Sequence, residues 1–354
     1  MGRRRRDEGD TRPAGKGRRD EGTKGQRDPE RQEVGDCQSS RAACSIEVMT
    51  NRLPVETEQI PLVDGWIGEV LIRSDALAGQ GNPIRWPDGQ LWRPALEAFL
   101  ADRTELPGYE LLKFSKTGEV CRLKLDVGGR SIDAVCKQSR PAGMVRATAS
   151  RFQRPREQRN FDRALDLLRA GISTALPLAV LRRNRPARQS WLITEYLPGL
   201  VEMQHLALSE LSRLAPRACR ARKNALIQSA VELLGRLEDS RVTHRDFKAA
   251  NLMLERAGND ASRSADIILV DLDGLGPMRL FAGIRRWHPV VRLAASLLDC
   301  KAVTRTDLAR LIRTYLVRLG QPKPAWKTHF RRVAIRAEKY AYSAARRKQG
   351  RFDG

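Results

Sequence analysis

Two short stretches of the sequence place acidic and amide side chains where they could carry out chemistry. THRDFKAANLML (residues 243–254) has Asp246 and Asn251 five positions apart, and ADIILVDLDGL (residues 265–275) has Asp271 at the end of an apolar run. Phosphoryl transfer needs a carboxylate to orient the attacking hydroxyl and oxygen ligands for Mg²⁺. The spacing therefore predicts Asp246 as the catalytic carboxylate, with Asn251 and Asp271 as the metal ligands.

The residues around these stretches predict how the side chains are held. A helix ends near Leu237, the run LML follows the loop as a short strand, and IILV is a second strand ahead of Asp271. His244 is expected to brace the loop and not to act as a base or a metal ligand. Lys248, two positions after Asp246, would neutralise the transferring phosphate.

The elements on either side of the loop predict an α+β chain with two lobes. EVCRLKLDV and SIDAVCK flank Gly128-Gly129 as a hairpin, and residues 154–170 have the pattern of a helix that ends at Gly171. Beyond residue 199 the periodicity is helical. We expect a small antiparallel sheet with one helix, followed by a mainly helical second lobe.

Composition sets the predicted boundaries. Residues 1–45 are highly charged and nearly free of large apolar side chains, so a disordered tail is expected there. Met49 precedes the first segment with a globular pattern, and a start codon assigned too far upstream is a second interpretation. The other predicted segments are an N-terminal extension (46–105), the first lobe with its hinge (106–198), the second lobe (199–340) and a basic tail (341–354).

The charge of the chain favours an anionic partner. The 354 residues carry a formal net charge of +23, and the segment from 321 to 354 alone holds 10 Lys/Arg against 2 Asp/Glu. Nucleic acid, a phosphorylated small molecule or an acidic lipid surface would each match this balance. Because only 5% of the residues are aromatic, stacking platforms are scarce and nucleic acid is the least favoured partner.

The cysteine spacing and the lengths of the apolar runs indicate where in the cell the protein is expected. The six cysteines have neither zinc-ligand nor disulfide-framework spacing, which predicts reduced thiols in the cytoplasm. The sequence has no run of about 18 apolar residues, and no apolar signal core follows its basic start. Any contact with a membrane is therefore expected to be peripheral.

The stretch HRDFKAAN resembles the catalytic loop of protein kinases, His-Arg-Asp-x-x-x-x-Asn, and VDLDG stands where those enzymes have Asp-Phe-Gly. The resemblance implies a two-lobed protein-kinase-like fold with an ATP site between the lobes. Under it, DAVCK is the strand that ends in the nucleotide-binding lysine, Lys137. Glu157, 20 positions later, is the glutamate that pairs with this lysine, and Asp162 is the competing choice.

The same resemblance identifies LITEYLPG as the hinge between the lobes, where the backbone of Glu195, Tyr196 and Leu197 would hold the adenine. Asp273 replaces the glycine of the kinase motif, so the choice between Asp271 and Asp273 as metal ligand stays open, with Asp271 favoured by register. The sequence has no Ala-Pro-Glu and little room for an activation segment, so a peptide acceptor is not expected.

The overall pattern is most similar to the bacterial Kdo/WaaP lipopolysaccharide kinase family, from about Tyr109 to about Arg336. LLRAGISTALPLAVL, LITEYLPGLVEMQHL and SLLDCKAVTRTDLARLIRTYL carry this likeness beyond the two kinase motifs. It implies transfer of the γ-phosphoryl group of ATP, with Mg²⁺, to a sugar hydroxyl of an anionic lipopolysaccharide glycolipid. It also implies a cytoplasmic protein in peripheral contact with the inner face of the inner membrane.

Two other interpretations stay open. One is a protein Ser/Thr kinase or a small-molecule phosphotransferase on the same fold. The other is a catalytically inactive kinase-like module whose basic face binds anionic lipid or nucleic acid. The intact set of Lys137, Asp246, Asn251 and Asp271 argues against the inactive module, because a fold without catalysis need keep none of these residues.

Overall fold

The computed structural model describes residues 54–74, 84–115, 118–139, 154–183, 189–255, 266–278 and 282–349. They belong to one compact unit that spans Thr50–Gly354. The tail expected at residues 1–45 lies outside the described residues, so its disorder stays a prediction.

The first lobe is built on an antiparallel sheet, which has eight strands in the described part of the chain, in the order β1-β2-β7-β8-β6-β5-β4 with β3 against β2. The strands are β1 (Val55–Pro61), β2 (Trp66–Ser74), β3 (Ile84–Arg85), β4 (Glu110–Ser115), β5 (Gly118–Val127), β6 (Arg130–Ser139), β7 (Pro177–Arg183) and β8 (Gln189–Glu195).

The hairpin of β5 and β6 follows from its sequence. Every second side chain of β5 is buried from Glu119 onward, in the alternation expected of a strand with one face on a core. Gly128 and Gly129 form the turn with φ of 59° and 79°, angles that glycine adopts without a steric penalty. The predicted hairpin is confirmed, and its pairing opposite β8 places Lys137 next to Leu192.

Two helices pack on this sheet, α1 (Gly89–Asp102) and α2 (Arg156–Arg169). The sequence predicted only α2, because Pro94 inside α1 weakens the helical signal. Burial of Trp92 and Phe99 in the core of the lobe offsets that weakness. The predicted extension at 46–105 therefore contributes β1, β2, β3 and α1 to the first lobe itself.

The second lobe is mainly helical, as predicted. Its helices are α3 (Met203–His205), α4 (Pro216–Asp239), α5 (Ala282–Ser296), α6 (Arg305–Arg318) and α7 (Trp326–Gln349). Short strands cross it: β9 (Leu200–Glu202), β10 (Val242–His244), β11 (Leu252–Glu255), β12 (Ile268–Leu269) and β13 (Leu275–Pro277), paired as β10-β13 and β12-β11-β9. Among the described residues, no helix is long and apolar enough to cross a membrane.

The predicted two-lobed α+β fold is confirmed. The basic segment predicted as a tail from residue 341 differs in one respect, since α7 continues through it to Gln349. Apolar side chains such as Val333 and Ala337 bury one side of α7 in the core of the second lobe, which explains why the helix persists this far.

Candidate active site

His244 ends β10 and braces the two loops of the candidate site. Its buried imidazole places Nε2 3.1 Å from the carbonyl oxygen of Asp271, while Nδ1 accepts the backbone N–H of Asp246 at 3.2 Å. Because a carbonyl only accepts, Nε2 carries the proton. Burial lowers the pKa of His244, which keeps the ring neutral near pH 7. These contacts are the bracing role expected from the sequence.

Asp246 is partly buried between two cations. Its Oδ1 accepts from the guanidinium of Arg292, and its Oδ2 lies 3.0 Å from Nζ of Lys248. Burial alone would raise the pKa of Asp246, but the hydrogen bonds and charges of these two cations outweigh it and hold the pKa below its ordinary value. The carboxylate is ionised at neutral pH, and it is a weak base suited to orienting a hydroxyl.

Asn251 is fixed by three hydrogen bonds. Its N–H donates to the carbonyl of Lys248 at 2.8 Å, and its own carbonyl accepts from the N–H of Val270 at 2.9 Å. Its side-chain Nδ2 donates to the carbonyl of Asp246 at 2.9 Å. Since Nδ2 is used in this way, Oδ1 is the amide atom that can ligate a cation.

Asp271 has a left-handed backbone, with φ 58° and ψ 69°. This conformation is uncommon for a residue other than glycine and persists only where the surroundings enforce it, which is frequent at functional sites. Here His244 holds the peptide carbonyl, and Nζ of Lys137 lies 2.9 Å from Oδ1. The structure thus brings Lys137, from the first lobe, onto the carboxylate at the end of a second-lobe strand.

Asp273 is tied to α2. Its Oδ1 accepts from Nδ2 of Asn160 at 2.7 Å, its Oδ2 pairs with Arg156, and the same oxygen lies 3.5 Å from Nζ of Lys137. Burial raises the pKa of Asp273, but Arg156, Lys137 and Asn160 overcome that effect and lower it to about 2. Asp273 fastens its turn to the first lobe, whereas the side chain of Asp271 is 37% exposed against 18% for Asp273.

The partner of Lys137 differs from the prediction. Glu157 lies in the first turn of α2, but its carboxylate is buried against β8 and accepts from the hydroxyl of Ser190. Asp162 contacts Arg154 at 3.1 Å and also accepts from Gln158. Lys137 instead contacts the two carboxylates described above.

The turn after β12 explains why Lys137 does not pair with Glu157. Asp273, in the place of the kinase-motif glycine, supplies the carboxylate that reaches both Lys137 and α2. Helix α2 is therefore coupled to Lys137 indirectly, through Arg156, Asn160 and Asp273. Spacing in the sequence does not show which side of the first turn of α2 faces Lys137. The prediction based on spacing therefore named Glu157.

The predicted hinge falls at the end of β8. The N–H of Glu195 donates to the carbonyl of Leu176, and the N–H of Tyr196 donates to that of Asp133, both at 2.9 Å. Burial raises the pKa of the Glu195 carboxyl. Among the hydrogen bonds of the described residues, none uses the N–H of Leu197, so this backbone donor is available at the predicted hinge.

The donors near Asp271 suit a hard cation. Strand pairing sets Leu252 opposite Leu269, so Asn251 and Asp271 lie at neighbouring strand ends and offer an amide and a carboxylate oxygen. Within the described ranges, no cluster of three or more His, Cys, Asp or Glu side chains could hold a metal by itself. Mg²⁺ fits such a sparse set, because it retains waters and takes phosphate oxygens as further ligands.

Arg292 of α5 is a site residue that the motifs do not reveal. It lies 46 positions after Asp246, contacts that carboxylate, and its guanidinium carbon is 5.1 Å from the ring centre of Tyr340. The sequence holds one signal for it, an arginine inside the apolar helical run VVRLAASLL. A charge on such a face is costly unless it is paired, which points to a partner without naming it.

Comparison with known proteins tests the predicted resemblance. Residues 143–315 match the model of the Lipopolysaccharide kinase (Kdo/WaaP) family. The resemblance to this family is confirmed. The matched range contains the catalytic loop, the hinge and the Asp271 turn, while Lys137 lies just before it. No curated protein matches the chain.

One solved structure supports the fold. A structure titled "WaaP in complex with acyl carrier protein" is 22% identical, covers 73% of this chain and 96% of its own, and has a TM-score of 0.52. A glucosamine kinase is 18% identical over 80% of this chain and 84% of its own, with a TM-score of 0.38, too low to carry an argument. The fold and the family match together identify a phosphotransferase of the kinase type.

Proposed function

We propose that the chain transfers the γ-phosphoryl group of ATP to a sugar hydroxyl of a lipopolysaccharide inner-core glycolipid. The family match supports a kinase of lipopolysaccharide core biosynthesis. The observation that carries the finer proposal is the convergence of Lys137, Asp246, Asn251 and Asp271 where the two lobes meet.

Each side chain has a role that its contacts support. Asp246 orients the acceptor hydroxyl, and Lys248, 3.0 Å from it, neutralises the transferring phosphate. Asn251 and Asp271 would hold Mg²⁺, which would supply positive charge to offset the charge that develops on the transferring phosphate. Lys137 binds the α and β phosphates, and its present contact with Asp271 indicates how close the nucleotide and metal subsites lie.

The length of the segment after Asp271 favours a sugar over a peptide acceptor. Helix α5 begins at Ala282, so only ten residues lie between it and Asp271. Protein kinases use this region for an activation segment and peptide docking. A segment this short leaves the acceptor side of Asp246 open to a compact group such as a sugar.

The outer face of α7 supports peripheral contact with an anionic membrane surface. Arg331, Ile335, Lys339, Tyr342 and Arg346 fall within about 80° of one another on the helix and are exposed. Basic side chains attract a helix to anionic lipid headgroups, and exposed apolar side chains beside them add to the binding. We propose this face as the one that brings the chain to its glycolipid at the cytoplasmic side of the inner membrane.

The test offers γ-labelled ATP and Mg²⁺ to the full-length protein with extracted lipopolysaccharide glycolipid, a basic protein, or no acceptor. Asp271→Asn is the test variant, and Asp266→Asn, an exposed aspartate ahead of β12, is the matched control. Label in the glycolipid that is lost in Asp271→Asn and kept in the control supports the proposal. Label only in protein would indicate a protein kinase, and nucleotide binding without turnover would indicate an inactive module.

A further inference from the structure

One side of α2 faces the turn after β12. Arg156, Asn160 and Arg163 fall within about 60° of one another around the helix axis, because each residue turns the helix by about 100°. The first two bind the carboxylate of Asp273. Nη1 of Arg163 donates to the carbonyl of Leu272 at 3.1 Å. Three side chains on one side of the helix therefore hold the turn that carries Asp273.

The opposite side of α2 faces the first two strands. Gln158 and Arg169 lie within about 20° of each other and about 180° from the three residues that hold the turn. Nε2 of Gln158 donates to Oε2 of Glu69 in β2 at 3.0 Å, and Nη2 of Arg169 donates to the carbonyl of Val55 in β1 at 3.5 Å. The helix is thus held between strands β1 and β2 on one side and the turn after β12 on the other.

The contact between Gln158 and Glu69 is buried and fixed at both ends. The side chain of Gln158 is 2% exposed, and its Nε2 donates a second hydrogen bond to Oδ1 of Asp162 at 3.1 Å. Both partners are carboxylates, which only accept, so both N–H groups of the amide are used. The hydroxyl of Thr57 donates to the other oxygen of Glu69 at 3.2 Å. Because loss of an acceptor would leave a buried N–H unpaired, this contact resists displacement.

The sheet of the first lobe closes a path between Glu69 and Lys137. Both residues belong to this sheet, in which β2 is joined to β6 through β7 and β8. The path leaves the sheet at Glu69, crosses α2 and the turn after β12, and returns at Lys137, whose Nζ lies 3.5 Å from Oδ2 of Asp273. Strands β1 and β2 precede residues 143–315, the range that the family model matches. A rigid helix passes a rotation from one side to the other, so its contact with β2 also affects the turn.

We propose that Glu69 and Gln158 are positioning residues for Lys137. Strands β1 and β2 set the rotation of α2, and α2 in turn sets, through Asn160 and Asp273, where the ammonium group of Lys137 lies. The inference rests on the proposed function for the role of this ammonium group, which is to bind the nucleotide phosphates. It gives the strands that precede the matched range a part in nucleotide binding.

The kinetic test compares three substitutions on β1 and β2. Glu69→Ala removes the acceptor and should raise KM for ATP about five- to tenfold with kcat unchanged, because Lys137 binds the phosphates equally in the ground state and the transition state. Glu69→Gln keeps an oxygen that accepts from Gln158 and should restore KM. Glu56→Ala is the control, since Glu56 is 52% exposed and pairs with Arg73. Equal KM values in Glu69→Ala and Glu56→Ala, or a raised KM that Glu69→Gln does not restore, overturn the proposal.

A double-mutant cycle tests the path through α2. Asn160→Ala removes a contact with Asp273 on the side of α2 opposite Glu69. If the effect of Glu69 passes through this contact, Glu69→Ala should raise the dissociation constant of ATP in the unmodified protein but by less than about twofold in Asn160→Ala. Calorimetric titration with ATP and Mg²⁺ measures both. Equal fold increases in the two backgrounds would show that the residues act independently and would contradict the path.

Hydrogen exchange distinguishes failure of this inference from failure of the proposed function. The full-length protein is measured without nucleotide, and the peptides that cover α2 and Leu272–Gly274 are compared. Glu69→Ala should exchange faster in both peptides, while Glu69→Gln and Glu56→Ala should match the unmodified protein. This result supports the inference even if no glycolipid is phosphorylated. Unchanged exchange at Leu272–Gly274 in Glu69→Ala overturns it, even if the sugar kinase activity is present.

Discussion

At the scale of single residues, the site is organised by charge pairs, one set between the two lobes and one set within the second lobe. Lys137 meets Asp271 and Asp273, and Asp246 meets Lys248 and Arg292. A partly buried carboxylate costs free energy unless it is paired, so each of these contacts also limits where the side chain can turn. The geometry of the candidate site and the stability of the fold are therefore coupled at the same atoms.

Arg292→Gln should lower kcat by about 10- to 100-fold, because a charge-assisted hydrogen bond of about 1.5 to 3 kcal/mol no longer orients Asp246. KM for ATP should not change, since the contacts of Arg292 are with Asp246 and Tyr340 and not with Lys137 or the hinge. The guanidinium lowers the pKa of Asp246, so its removal should raise that pKa and shift the acidic limb of the pH profile of kcat to higher pH. Steady-state kinetics of Arg292→Gln are compared with those of the control Arg313→Gln, which removes the same charge from an exposed position on α6. Equal kcat values in the two variants would contradict this role of Arg292.

Asp273→Asn should reduce the free energy of unfolding at neutral pH. It should also make this free energy depend less on pH in the acidic range. The pKa of Asp273 falls from an ordinary 3.8 to about 2, which corresponds to about 2 kcal/mol. This stabilisation is fully present above pH 3.8 and is lost as the pH falls through the native value. Urea unfolding from pH 6 downward tests it against Asp166→Asn, whose side chain is 72% exposed; equal curves would show that the Asp273 contacts contribute nothing.

At the scale of elements, the catalytic loop depends on a close approach between β10 and the turn that leads into β13. The strands pair His244 with Leu275, and the N–H of Arg245 donates to the carbonyl of Gly274 at 2.8 Å. Gly274 is buried in this contact, so the turn fits against the imidazole only without a side chain.

Gly274→Ala should displace His244 and lower both activity and stability. An added Cβ would lie 2.7 Å from Cε1 of His244 and 2.9 Å from the backbone nitrogen of Asp246. Such overpacking typically costs about 1 to 3 kcal/mol. Gly276→Ala, two residues later with nothing within 4 Å of the added Cβ, is the control. Denaturant midpoints and kcat that are equal in the two variants would contradict the close fit.

Trp92→Ala tests whether α1 is part of the first lobe. Trp92 is fully buried in the core under the sheet, and its loss should reduce the free energy of unfolding by about 3 to 5 kcal/mol. Leu91→Ala, on the same helix with its side chain 50% exposed, should have a much smaller effect. Chemical denaturation of both variants gives the comparison, and an equally small loss in each would mean that α1 does not support the lobe.

At the scale of the whole molecule, a net charge of +23 attracts the chain to any strongly anionic surface. The α7 face adds apolar side chains to that attraction, with Ile335 55% and Tyr342 67% exposed. Charge alone steers without orientation, whereas a single face with both kinds of residue selects how the molecule lies on the surface.

Arg331→Gln combined with Lys339→Gln should weaken binding to vesicles that contain anionic lipid by about 30-fold, since each basic residue near the surface contributes about 1 kcal/mol. Arg217→Gln with Arg220→Gln removes the same charge from exposed positions on α4 and should have a smaller effect. Sedimentation with vesicles at rising salt measures both pairs. Equal losses would assign the binding to net charge and not to the α7 face.

The sequence by itself determined the local parts of this protein. Gly128-Gly129 specified a hairpin because glycine accepts positive φ, and apolar periodicity specified the helices. The spacing of Asp246, Asn251 and Asp271 predicted a phosphoryl-transfer loop. These signals depend on neighbours within one element or loop. The two-lobed fold and the family resemblance could be predicted from them.

Only the tertiary structure decided which distant side chains meet. Asp273 and not Glu157 faces Lys137, and Arg292 reaches Asp246 across 46 residues of chain. No period or motif encodes such pairs, because they depend on the angle at which packed helices present a side chain. The same holds for residues 55–102, whose strands and helix complete the first lobe through pairing of β2 with β7, a partner more than a hundred residues away.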